Sequence, residues 1–162
     1  MWERLLCAID QFESGQKALA FVAGVALANK SGVRVFHVRE LSKMARVLPL
    51  ETPFEAEELV QDAVQILKVL GVAAEGESCS ALDDHVAKRI VDEALCWECQ
   101  GIVIGSRRLH GIGRLSSRGV RERILRKSSL PLLVAPAAEI NTIYWPPQLR
   151  SERKQSAPAF GR

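Results

Sequence analysis

Apolar and polar positions fall in blocks along this chain, and the period of the pattern changes from block to block. Leu5-Leu6-Cys7-Ala8-Ile9 is an uninterrupted apolar run closed by Asp10. Its shortness and the absence of polar positions predict a strand buried on both faces. From Ser14 to Lys30 apolar residues recur at helical spacing, at Ala18, Leu19, Val22, Val25 and Ala26. That predicts a helix with Ser14 as N-cap and Gly32 just past its end. Val33 to Val38 returns to a strand pattern, with Arg34 expected near its edge. Arg39 to Thr52 has no period and contains Pro49, so a loop is expected there, placed to fold over whatever the strand ends face.

Pro53 suits the first turn of a second helix, and Glu55, Glu57 and Glu58 suit the positive end of its dipole. The buried stripe of this helix reads Val60, Ala63, Val64, Leu67 and Leu70, and Gly71 ends it. Val72 to Ser78 is a weaker strand whose Glu75 and Glu77 place it at a sheet edge. Ser80-Ala81-Leu82-Asp83 has the spacing of a capping box, with Asp in place of Glu, before a helix carrying Val86, Ile90, Val91, Ala94 and Leu95. Ile102-Val103-Ile104 is too short and too β-branched for a helix, and Leu132 to Ala135, between Pro131 and Pro136, reads the same way. A helix from about Gly119 to Lys127 lies between these two strands. Strands alternating with helices predict one α/β domain: a parallel sheet with right-handed crossovers and helices on both faces. After Pro136 the period is lost, so residues 1–136 are taken as the domain and 137–162 as an irregular tail, whose Tyr144 and Trp145 are large enough to favour docking on the body.

Composition changes this picture little. The 162 residues suit one domain with a real core, and an apolar fraction of 48% with 25% charged residues is that of an ordinary globular protein. A net charge of +3 is too mild to imply nucleic acid. The first residues carry Glu3 and Arg4, and the first apolar run is too short for a signal sequence. No run approaches the length of a membrane span, so a cytoplasmic location is expected. Cys96-Trp-Glu-Cys99 has C-x-x-C spacing but ends a helical pattern, where the dipole disfavours a thiolate, so incidental thiols are favoured over a redox or zinc pair. His37, His85 and His110 lack metal-ligand spacing, and no nucleophile–base or paired-carboxylate arrangement stands out, so no enzyme is expected.

Candidate chemistry concentrates between the last two strands, in GIVIGSRRLHGIGRLSSRGVRERILRKSSLPLLVAP. Gly105, Gly111, Gly113 and Gly119 leave room for backbone N–H groups to converge on a phosphate, but the spacing is neither G-x-x-x-x-G-K-[ST] nor G-x-G-x-x-G, and a plain flexible connection fits as well. Arg107, Arg108, Arg114, Arg118, Arg121, Arg123, Arg126 and Lys127 crowd the same stretch against Glu122 alone. They suit either anion binding or a solvated helix face. Asp10, closing the first strand, can accept hydrogen bonds from a ligand or can cap the turn leading to Ser14.

LLCAIDQFESGQKALAFVAGVA, VRVFHVRE and the long glycine–arginine stretch together resemble the universal stress protein family over about residues 2–136. The resemblance implies a Rossmann-like, adenine nucleotide alpha hydrolase-like domain with five parallel strands in the order 3-2-1-4-5. It also implies a ligand crevice at the switch point between strands 1 and 4, a homodimer through the last strand (Leu132, Leu133, Val134) and, in one branch of the family, bound ATP. In that branch an aspartate after strand 1 and a strand 2 backbone meet the adenosine, which carries over to Asp10 and Val38. Phosphates and ribose are held by G-x2-G-x9-G-[S/T]. Gly105 matches the first glycine and is followed by Ser106, but Arg108 and Arg118 stand at the second and third, and Gly119 at the hydroxyl position. A side chain at a glycine position fills space where backbone would approach phosphate, while an arginine brings a cationic fork of its own. The expected function is therefore a stress-response module with an adenine-nucleotide pocket of altered glycine pattern and a regulatory protein partner. The alternatives are a dimer that has lost nucleotide and acts through protein contacts, or one that holds an anionic macromolecule on its basic loop.

Overall fold

The structure is a computed structural model that describes residues 2–41, 51–106 and 114–136, with 114–118 described in backbone only. Nine elements follow in order: β1 (Arg4–Ile9), α1 (Glu13–Asn29), β2 (Gly32–Leu41), α2 (Pro53–Val69), β3 (Ala74–Leu82), α3 (Val86–Cys96), β4 (Gly101–Gly105), α4 (Arg114–Lys127) and β5 (Leu132–Ala135). The strands form one sheet in the order β3-β2-β1-β4-β5, every described pair parallel. β1 is central, with Leu5 opposite Val33 of β2 and Gly101 of β4. Successive side chains of a strand point to opposite faces, which makes this a three-layer α/β/α fold. Leu5, Cys7 and Ile9 enter a core with α1 and α2, while Leu6 enters a second core with α3, α4, Phe36, Ile102 and Ile104. An unbroken apolar run is the pattern such a doubly covered strand requires.

Several boundaries differ from the pattern. α1 begins at Glu13 with Phe12 as N-cap, not at Ser14, because Asp10 reaches forward and performs the capping. It closes at Lys30, whose φ of 57° is left-handed, so Gly32 is already the first residue of β2. β2 runs on to Leu41 and β3 from Ala74 to Leu82, paired residue for residue to the end. Ser80-Ala81-Leu82 is therefore strand, not a capping box, and the α3 N-cap is His85 without a side-chain bond. The capping box sits instead at Thr52 and Glu55, each side chain bonded to the other's backbone N–H. Leu95 is exposed, one position off the α3 stripe of Ala87, Ile90, Val91 and Ala94. Arg34 lies inside β2, not near its edge: Nε donates to Glu93 at 2.7 Å, and Nη2 to Glu77 at 2.6 Å. Burial alone would lower its pKa, but the bond to Glu93 and the charges of Glu93, Glu75 and Glu77 raise it overall. β3 does lie at the sheet edge, as its glutamates predict.

α4 shows the largest shift. It begins at Arg114, five residues before Gly119, so Arg118 and Gly119 lie inside a helix instead of ending a loop. The loop residues Arg107, Arg108, His110, Gly111 and Gly113, the connection 42–50, and the tail with Tyr144 and Trp145 lie outside the described residues.

Candidate functional site

From the carboxyl end of β1 the chain turns into α1 on one face of the sheet. From the carboxyl end of β4, its neighbour, the chain leads to α4 on the opposite face. Adjacent parallel strands whose connections diverge leave a crevice between their ends. Asp10, Gly105 and Ser106 stand at that point, and Val38 stands one strand away on β2.

Asp10 is engaged with α1. Its Oδ1 accepts from the backbone N–H groups of Phe12 and Gly15, each at 3.0 Å, and the Ser14 hydroxyl donates to Oδ2 at 2.7 Å. These are orphan donors of a first helical turn, so the carboxylate is held where it also complements the dipole. Of the two roles expected for Asp10, the capping one is present. The first turn also packs closely on its surroundings. A Cβ at Gly15 would lie 2.2 Å from the Asp10 carbonyl oxygen, and one at Gly105 would lie 2.0 Å from that of Ser14. Both glycines are thus required by the approach of α1 to the ends of β1 and β4. Val38 pairs with Cys79 of β3 and packs, half-buried, on the second core. The Ser106 hydroxyl is buried, and among the described residues no hydrogen-bond partner reaches it.

Gly119 has a particular neighbour. A Cβ there would lie 2.9 Å from Nη2 of Arg123, whose guanidinium folds back over the helix, and Arg123 Nη1 donates to the Asp83 carbonyl at 3.0 Å. The side chain of Arg118 and all of Arg108 lie outside the described residues.

Two further residues, unmarked by any motif, join the site. His37 is buried within β2, with Nδ1 2.8 Å from the Ile9 carbonyl and Nε2 2.7 Å from Oε2 of Glu51, which is also buried. A carbonyl only accepts, so Nδ1 carries hydrogen, and one more proton lies between Nε2 and the carboxyl group. This bond ties the residue before Thr52 to the end of β1, and Arg39 Nη1 adds a bond to the Glu51 carbonyl. A cavity of about 30 Å³ touches Asp10 from the other side, between Leu19 of α1 and Leu59, Asp62 and Ala63 of α2. It has room for about one water, not a nucleotide.

The C-x-x-C pair sits at the carboxyl end of α3, as predicted, with Cys96 exposed and Cys99 buried. Burial, then the charge of Glu93, pushes the Cys99 thiol up to about 12, and burial raises Cys7 further. Among the described residues no cluster of His, Cys, Asp or Glu could hold a metal ion. No helix among them is long and apolar enough to cross a membrane.

This arrangement defines a doubly wound α/β protein of the class that places ligands at a switch point. The model of the universal stress protein family matches residues 1–136, and the chain belongs to that family. No curated protein matches the chain. Among solved structures, it is similar to a protein of the universal stress protein family from Burkholderia pseudomallei. That pair shares 22% identity with a TM-score of 0.67, over 83% of this chain and 96% of the other. It is also similar to a universal stress protein from Archaeoglobus fulgidus in complex with dAMP (24% identity, TM-score 0.59, 83% and 98% covered). A universal stress protein in complex with cAMP is similar at 16% identity and a TM-score of 0.63, with 85% and 99% covered.

Proposed function

We propose that this chain is a non-enzymatic stress-response module that holds an adenine nucleotide, ATP or another, at the β1–β4 switch point, and that it works in the cytoplasm as a homodimer joined along β5. The crevice between the ends of β1 and β4 carries the reading, since such crevices are where open α/β sheets bind ligands. The Ser106 hydroxyl supports it, because it has no partner among the described residues, a buried donor without one is costly, and a ligand oxygen would satisfy it. The relatives solved with dAMP and cAMP support the adenine class. Asp10, Val38, Gly105 and Gly119 would line the pocket, with Arg108 and Arg118 toward its phosphate end. β5 is an edge strand with Val134 exposed, which supports pairing of two copies there.

The test is mass spectrometry of small molecules released from the purified protein, with calorimetry against ATP, ADP and AMP. Bound nucleotide or millimolar-or-better affinity is expected, and neither appearing would overturn the proposal. The engagement of Asp10 by α1 favours one second reading, a dimer without nucleotide that acts through a regulatory protein partner. That negative result, together with an intact dimer, is the outcome expected under it.

A further inference from the structure

We propose that the segment Ile140–Trp145, which follows the last strand, docks on the outward face of α1, so that it covers the domain instead of hanging free of it. Neither nucleotide nor a dimer is needed for this contact. The observation behind it is the composition of α1. From Ala18 to Ala28 the helix has no polar residue, so its outward positions Ala20, Phe21, Gly24, Val25, Leu27 and Ala28 are all apolar. The neighbouring helices turn polar side chains outward, Glu58, Gln65 and Lys68 on α2 and Lys88 and Asp92 on α3. A helix that is apolar on every side belongs under a cover, yet Leu27 is 43% exposed and Ala28 is exposed as well.

The place where the chain leaves the sheet selects the occupant. One flank of α1 is already taken, with Gln16 and Leu19 facing α2 across the small cavity. On the other flank Phe21 and Val25 share a core with Leu133 of β5. β5 ends beside the start of α1: Ala135 pairs with Gly105, and a Cβ on Gly105 would lie 2.0 Å from the Ser14 carbonyl oxygen. Four residues, Pro136 to Glu139, then precede Ile140. Extended, that connection reaches about 17 Å, and Phe21 stands about 10 Å along the helix from Ser14. Ile140 to Trp145 carries no charge, and Ile140, Ile143, Tyr144 and Trp145 supply large apolar surface to match an uncharged face. Gly24, in the middle of that face, leaves open space where a Cβ would stand, which is room for a ring. A second copy or another protein would have to compete there with a segment tethered within reach.

Hydrogen–deuterium exchange of the full chain, read by mass spectrometry, tests the contact. The amides of 140–145 are expected to exchange about tenfold or more slowly than in a free peptide of the same sequence. Gly24→Arg sets a charge on the face at a position with open space, where arginine is also the better helix former. It should return those amides to the rate of the free peptide and leave the amides of β1 protected. Trp145→Ser should do the same from the other side of the contact, and it carries the comparison if Gly24→Arg fails to fold. Gln65→Arg, on the exposed face of α2, should leave the protection unchanged. Unprotected amides in the wild type, protection that survives both Gly24→Arg and Trp145→Ser, or an equal loss in Gln65→Arg overturns the proposal. Protection that fades on dilution, together with self-association in sedimentation, also overturns it, because the cover is then a second copy.

Discussion

Replacing Glu51 by alanine should destabilise the fold by breaking its buried contact with His37. The perturbation removes the partner of His37 Nε2 at 2.7 Å and leaves the Ile9 bond of Nδ1 in place. Side-chain exposures of 5% for His37 and 8% for Glu51 leave water little access to the vacated position. Removing one partner of a buried pair costs about 3–5 kcal/mol when the other stays charged, and about 1–3 kcal/mol when it relaxes to a neutral unsatisfied group. The vacated Nε2 is left buried without its partner, so about 2–3 kcal/mol is expected, which for a chain of this length is roughly 4–12 °C in Tm. Glu51→Gln provides the internal control. Its amide can donate to the bare Nε2 of a ring whose Nδ1–H faces Ile9, so a cost within about 1 kcal/mol is expected. Urea unfolding followed by tryptophan fluorescence, with unchanged m-values, measures both. An alanine variant that unfolds at the wild-type midpoint would refute the buried pair. A glutamine variant as damaged as alanine would refute the hydrogen-bond assignment.

Gly105→Ala would drive a Cβ to 2.0 Å from the Ser14 carbonyl oxygen, backbone that can move only by shifting α1. A loss of at least about 2 kcal/mol is expected in the same unfolding assay, and a variant as stable as wild type would refute the close approach. Val134→Asp places a charge on the exposed edge of β5, 36% accessible, and should disperse the proposed dimer in sedimentation velocity; a dimer of undiminished strength would exclude this edge. Hydrogen bonds from the Thr52 backbone and side chain hold the Glu55 carboxyl below its ordinary pKa. A depressed carboxyl stabilises the fold above its unfolded pKa and ceases to do so as pH falls through the folded value. The stability gap between wild type and Glu55→Gln should therefore be present near pH 7 and close as pH falls below the ordinary glutamate range; a gap constant with pH would contradict it.

Strand identity was legible wherever both faces of a strand are covered. Leu5 to Ile9 and Ile102 to Ile104 have no polar position, and no other element fits so short an apolar run. Boundaries were less legible, because they depend on which side chain supplies a cap. Ser14 and the Ser80 stretch both have capping chemistry. Yet Asp10 captures the first turn of α1 from outside the helix, and Ser80 is drawn into β3 by its ladder with β2. Arg34 was misplaced for a related reason. A charge inside a strand looks like an edge until three glutamates from two other elements meet it. The His37–Glu51 contact joins residues fourteen apart across a connection without periodicity, so no local pattern could announce it.

The glycines at the candidate site invite one more step. Gly105 and Gly119 look, in sequence, like room left for phosphate, and Gly15 lies in the first turn of α1. In the folded chain each has a protein neighbour in the space of its missing Cβ: the Asp10 carbonyl, the Ser14 carbonyl and the Arg123 guanidinium. Glycine is needed at 15 and 105 whether or not a ligand binds, so a count of glycines cannot decide between a nucleotide module and a dimer without one. Groups that the fold leaves unsatisfied can decide it, because a protein gains nothing from burying them otherwise. One such group stands out at the strand ends: the Ser106 hydroxyl, which has no partner among the described residues. A hydroxyl both donates and accepts, so a ligand oxygen placed beside it would satisfy it. The case for nucleotide in this chain therefore passes from its glycines to Ser106, and it is there that substitution should be felt in binding before it is felt in stability.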